Sequence, residues 1–214
     1  MGFFGNEINE QLINEIIEHE SSNDFVGFLR NELHIGGTRE QYPITTADHQ
    51  VGTDNYKVQD TFGALLFTPS YREILGIELY VKSIVERINA VFSHRMHNPH
   101  TMELITRIFV FNAVAHEYVH VQQFEQGRIT AEIIEVQNQL NYEQREIEIE
   151  ASNVAKELLI QYTGLETQRV NQILSGNSDN DSAAELSEYL IEWENAKQLK
   201  MMKIKKRLQT HLSN

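Results

Sequence analysis

The run IFVFNAVAHEYVHVQQFEQG, residues 108–127, carries His116-Glu117-Tyr118-Val119-His120 in the most apolar part of the chain. Residues four apart share one face of a helix, so His116 and His120 point the same way and can bind one metal ion through their imidazole nitrogens. Glu117 is turned to the side of that pair, where a carboxylate can hold a metal-activated water. Around the motif, Leu104, Ile105, Ile108, Phe109, Val110, Phe111, Ala113, Val114, Ala115, Val119 and Val121 leave little polar surface. A helix hydrophobic nearly all round is a buried central helix. The pattern predicts one helix from about His100 to Gln126, stopped by Gly127.

Two core histidines with satisfied hydrogen bonds are the plain alternative, and the five-residue pattern arises by chance in about four of a hundred chains of this length and composition. Its position argues for a metal. An isolated buried carboxylate loses several kcal/mol of solvation, and a zinc ion between the histidines, with Glu117 on its water, removes that cost. Catalytic zinc takes three protein ligands and keeps one position for water. The chain has no cysteine, so the third ligand is a histidine or a carboxylate.

The segment after Gly127 offers candidates. It reads as one helix from near Thr130 to Tyr162, ended by Gly164. With Ile147, Ala151, Val154, Leu158 and Tyr162 taken as its buried face, Glu143, Glu148 and Glu150 flank that face and Glu146 lies further round. Periodicity leaves the three open.

The run Glu150-Ala151-Ser152-Asn153-Val154-Ala155-Lys156-Glu157-Leu158-Leu159 begins thirty residues after His120. It resembles the glutamate-alanine segment of HExxH zinc peptidases of the gluzincin type. The likeness is greatest to the bacterial family that includes the ImmA and IrrE peptidases, whose helix reads roughly E-A-N-x-F-A-x-x-L-L. It spans Ala115 to Leu159, with Ser152 and Val154 standing where that family tends to have Asn and Phe. The resemblance implies a zincin-like fold, mainly α (α+β), and a bacterial or phage metalloprotease acting on a protein or peptide substrate. It implies Zn2+ as cofactor, His116, His120 and Glu150 as metal ligands, Glu117 as the catalytic general base, and Ala151 as a point of close packing on the motif helix. Glu143, Glu146 and Glu148 are the alternatives to Glu150. HEYVHVQQ also resembles the H-E-x-x-H-V-x-Q-Q run of zincin-like domains attached to bacterial toxin and injection systems. For the oxyanion stabiliser, Tyr162, Tyr142 and His100 are equal candidates. The competing function is a non-catalytic, zinc-stabilised helical protein that acts as a binding or regulatory module. Glu117 favours the peptidase, because a purely structural site needs no base there.

Outward from the motif, the 214 residues suit a single domain, 1–214. The hydrophobic share of 41% and charged share of 23% are those of a globular protein. No apolar run approaches the roughly 18 residues of a membrane span. The opening MGFFGNEINEQLINEI has no basic n-region or apolar h-region, so a cytoplasmic location is expected. From Trp193 onward six basic residues face one Glu, a charge of +5, while residues 1–192 carry −18. The acidic body argues against a nucleic-acid partner. The basic segment reads as the end of a C-terminal helix, 183–212, that packs Leu199, Met202 and Leu208 on the body.

Ahead of the motif, Glu7 to Leu33 reads as one long or two short amphipathic helices broken near Ser21-Ser22-Asn23-Asp24. Residues 38–60 read mostly as loop. The run Thr61 to Thr68 is the best strand candidate, either in the core or at an edge able to add an extended peptide. Ser70 to about Ser93 reads as a helix, and His94, His97 and His100 as a solvated loop around Pro99. A short helix at Thr167 to Leu174 precedes a flexible loop, 175–182.

Overall fold

The computed structural model describes residues 3–4, 7–49, 61–96, 98–140, 144–176 and 180–212. Among them are eight helices: α1 (Glu10–Glu18), α2 (Glu20–Glu32), α3 (Val81–Phe92), α4 (Pro99–Glu125), α5 (Ala131–Asn138), α6 (Glu146–Thr163), α7 (Thr167–Ser175) and α8 (Asn180–Leu212). Strands β1 (Phe3–Phe4) and β2 (Glu7–Ile8) pair antiparallel. Strands β3 (Ile44–Ala47), β4 (Gly63–Phe67) and β5 (Ile74–Tyr80) form a sheet in the order β3-β5-β4, with β3 parallel and β4 antiparallel to β5. The chain is mainly helical with a small sheet, the α+β class expected.

Helix α4 is the axis of the fold. Asn98 caps it by accepting from the His100 N–H at 3.0 Å, and Pro99 fills the first turn, where no N–H is needed. Its buried residues cover most of its circumference, from Met102, Leu104 and Ile105 to Val119 and Val121. Helices α1, α2, α6, α7 and α8 and strands β4 and β5 all pack on it. It ends at Gly127, whose φ of +71° is a left-handed conformation that glycine adopts without a Cβ penalty.

Three expectations need correction. Residues 70–93 are not one helix: β5 runs straight into α3. Ile77 and Leu79 alternate as a strand requires, but Ile74, Gly76 and Tyr80 on the other face of β5 are buried too and its period of two is blurred. The stretch from Thr130 to Tyr162 is two helices, because α5 ends at Asn138 and α6 begins at Glu146. The polar residues between them contain no Gly or Pro to mark the break. Leu199 does not pack on the body, being 54% exposed. The side chains of Met202 and Leu208 lie outside the described residues.

Other boundaries shift little. Helices α1 and α2 meet at His19, whose Nδ1 accepts from the Ser21 N–H at 3.1 Å, two residues before the expected break. The expected loop 38–60 contains β3, and residues 50–60 lie outside the described residues. So do 177–179 of the expected loop 175–182, while α8 starts three residues earlier than anticipated. His94 is exposed in a turn, and His97 is outside the described residues.

Candidate metal centre

His116 and His120 stand one turn apart in the second half of α4, with their rings crossed at 86° and centroids 4.6 Å apart. Their Nε2 atoms are 3.0 Å apart. The third group is Glu148 in the first turn of α6, with Oε2 at 3.2 Å from His116 Nε2 and 3.3 Å from His120 Nε2. A tetrahedral zinc with ligand bonds of about 2.0–2.1 Å separates its ligand atoms by about 3.4 Å. The triangle drawn by the three atoms is close to that size. Among the described residues, this is the one group of three or more His, Cys, Asp or Glu side chains whose donor atoms cluster within metal-ligand reach.

A buried amide orients the site. Gln123 is fully buried; its Nε2 donates to the Ile147 carbonyl at 3.1 Å and its Oε1 meets His120 Nδ1 at 2.8 Å. A carbonyl only accepts, so the Gln123 amide nitrogen faces Ile147 and its oxygen faces His120. His120 Nδ1 therefore carries a hydrogen, and in the neutral ring Nε2 presents its lone pair to Glu148 and His116. Lone pairs and a carboxylate converging on one point repel unless a cation stands among them. The donor set fits a divalent metal. Gln123 also spans the two ligand-bearing helices, since Ile147 precedes Glu148.

Electrostatics separate the two carboxylates of the centre. Burial works to raise the Glu148 pKa, but hydrogen bonds and charge from His116 and His120 outweigh it and hold the group well below the usual carboxylate range. Burial opposes a charge on His120, yet Glu148 and Glu117 together lift its pKa from 6.5 to about 9. Without a metal, a proton takes the cation's place. Glu117 is only 4% exposed. Burial pushes its carboxyl up, with the two histidines opposing and Glu148 adding to the rise.

Glu117 is held against the sheet. Gly63, the first residue of β4, has no Cβ, and one built there would lie 2.9 Å from Glu117 Oε1 and 3.1 Å from its Cγ. Any larger residue there would make the Glu117 side chain shift from this position. Strand β4 pairs on one side with β5 and, among the described residues, with nothing on the other. Its residues are half-buried throughout, so the strand predicted at 61–68 is an edge strand beside Glu117.

Of the residues expected at the site, His116, His120 and Glu117 are brought together and Glu150 is not. Glu150 turns to Arg128, just beyond α4, in a two-pronged pair whose first contact, Nη1 to Oε1, is 2.7 Å. The reason is helical phase. The buried stripe of α6 runs through Ala151, Ala155, Leu158 and Leu159, with Val154 only half-buried. At 100° per residue Glu148 lies within that stripe, and Glu150 lies roughly 160° from Glu148 around the helix. Ala151 is fully buried and allows the close packing anticipated for it.

The oxyanion candidates also separate. Tyr162 is 14 residues beyond Glu148, about 21 Å along α6 at 1.5 Å per residue, where it packs on Phe25, Phe28 and Phe111. His100 is 16 residues before His116, about 24 Å along α4, and pairs with Glu194. Tyr142 lies outside the described residues. Gln123 and Gly63 were not anticipated. Gln123 was findable, being three residues after His120 and so its neighbour on the helix surface. Gly63 was not, because the approach of β4 to Glu117 is a tertiary contact.

No helix among the described residues is long and apolar enough to cross a membrane. No protein family, curated protein or solved structure matches the chain. The site rests on its own geometry: His116, His120 and Glu148 could hold a metal ion.

Proposed function

We propose that the protein is a zinc metallopeptidase of the HExxH-plus-glutamate type, with His116, His120 and Glu148 as ligands and Glu117 as general base. The observation that carries the reading is a buried Glu117 beside a three-donor cluster, since three protein ligands leave one position for water or substrate. The HExxH pattern of α4 supports the same class, while the glutamate-alanine run that carries the likeness to gluzincin peptidases, including the ImmA and IrrE family, lies on the helix that supplies Glu148, two residues after it.

Bound there, zinc supplies Lewis acidity that polarises a carbonyl and brings a water's pKa toward about 7. The chain's own residues do the rest. Glu117, its proton affinity raised by burial, accepts the proton of the attacking water and returns it to the leaving amine. Gly63 fixes how far Glu117 can swing toward the sheet. Gln123 fixes the His120 tautomer, so Nε2 is the free donor. The side of β4 that no described strand pairs suits an extended peptide added as a further strand, its backbone then running past Glu117.

The test is Glu117→Gln against the parent chain, with metal content and digestion of a random peptide library followed in parallel. Retained zinc with lost cleavage is the expected result. Cleavage at the parent rate by a zinc-loaded variant, or none by the loaded parent on any library member, contradicts the peptidase reading and leaves the binding module.

A further inference from the structure

A second site lies on the opposite side of α4. Leu104, Arg107, Ile108 and Phe111 form a stripe that is about 150° around the helix from His116 and His120, at 100° per residue. Over that stripe the end of α6 and the middle of α8 enclose a cavity of about 550 Å³, a volume typical of small-molecule sites. Its apolar walls are Leu104, Ile108, Phe111 and Trp193. The Trp193 indole is fixed in place, since its N–H donates to the Thr163 carbonyl at the end of α6 at 3.1 Å.

The polar groups are unequally satisfied. Arg107 is bound by Glu103, one turn back on α4, at 2.6 Å, and Glu194 is bound by His100. Lys197 has no such carboxylate among the described residues. Its ammonium instead lies over the ring faces of Trp193 and Tyr162, 5.2 and 5.4 Å from their centroids. Lys197 is exposed at the rim of the cavity, and the covering of part of its side chain, with the nearby Arg107, lowers its pKa, Glu194 opposing. A cation beside a second cation, at one edge of an apolar chamber, is matched by an anion with a hydrocarbon body.

We infer that this cavity binds an amphipathic monoanion, a carboxylate carrying an aliphatic chain, with its head between Lys197 and Arg107 and its chain along Leu104, Ile108, Phe111 and Trp193. The site is independent of the metal centre and of the peptidase reading.

Trp193 is the single tryptophan of the chain and reports on the cavity directly. The full chain is titrated with decanoate, decan-1-ol and decyltrimethylammonium while Trp193 emission is recorded. Decanoate is expected to shift the emission saturably at one molecule per chain, and to bind about tenfold more tightly than either of the others. That factor is what one charge-assisted contact contributes. Lys197→Met and Arg107→Met should each weaken decanoate by about tenfold, and His116→Ala should leave it unchanged. Absence of saturable binding overturns the proposal, and so does decan-1-ol binding as tightly as decanoate with Lys197→Met unaffected. Loss of decanoate binding in His116→Ala would put the carboxylate at the metal centre and overturn it equally.

Discussion

The second half of α4 and the first turn of α6 each bring a carboxylate to one site, and the two are tuned in opposite directions. Glu117 on α4 is buried against Gly63, and burial raises its pKa. Glu148 on α6 faces two imidazoles that hold it ionised despite its own burial. A ligand must stay charged, whereas a base must take up and release a proton near neutral pH. Neighbouring carboxylates with divergent environments are what the proposed division of labour requires.

Breaking the α4 side should cost most. Glu117→Gln is expected to lower peptide hydrolysis by about 10²–10⁴-fold, the usual contribution of a positioned general base, with zinc content unchanged by elemental analysis. Gly63→Ala presses a methyl group on the same carboxylate. It should lower hydrolysis about a hundredfold, as displacements of about 1 Å do, again with the metal retained. A Gly63→Ala chain that cleaves at the parent rate would show that the glycine does not set the Glu117 position.

The α6 side is sharpened through Gln123, the side chain that joins the two helices. Gln123→Leu should weaken zinc by about 10–100-fold in chelator competition, the range for groups behind the ligands. Gln123→Glu keeps an acceptor for His120 Nδ1 while losing the bond to Ile147, so it should recover most of that affinity. Equal losses in both variants would assign Gln123 to packing alone.

Proton competition gives a smaller, graded effect. The folded pKa of His120 is raised from 6.5 to about 9 in the metal-free chain, so its contribution to stability is complete below 6.5 and is lost as pH rises through 9. The metal-free chain should therefore melt lower at pH 9 than at pH 6.5. Zinc displaces that proton, and its affinity should rise about tenfold per pH unit up to about pH 9. Calorimetry in buffers of different ionisation enthalpy reads the proton released per ion, and a count of zero would contradict the shift.

What could be read in advance follows from the range of the forces involved. Helix α4, its stop and the pairing of His116 with His120 depend on residues within one or two turns, and the apolar run with Gly127 states them, whereas the Asn98-Pro99 start reads as loop in the sequence. Strand β4 was equally visible between polar flanks. Strand β5 was hidden because it is central, with apolar residues on both faces that also fit a helix. The third ligand was hidden for a related reason. Ile147 and Val154 drew the inferred buried face of α6 away from Glu148, so periodicity left Glu143, Glu148 and Glu150 open and Glu150 came from the resemblance alone, whereas the buried Ala151, Ala155 and Leu159 turn Glu148 inward. Small residues carry little weight in a hydrophobic pattern, yet they decide which face comes closest to a neighbouring helix.

The most direct test of the centre compares Glu148→Gln with Glu150→Gln, both purified without chelator and assayed for zinc per chain and for affinity by competition. Glu148→Gln should lose zinc affinity by more than about a hundredfold, beyond the range for groups behind the ligands. Glu150→Gln, which removes the charged pair with Arg128 but keeps a side-chain acceptor beside Gln123, should hold zinc like the parent and lose less than about 1 kcal/mol of stability. Loss of zinc in Glu150→Gln with retention in Glu148→Gln would contradict the ligand set, and no zinc in the parent chain would contradict the metal centre itself.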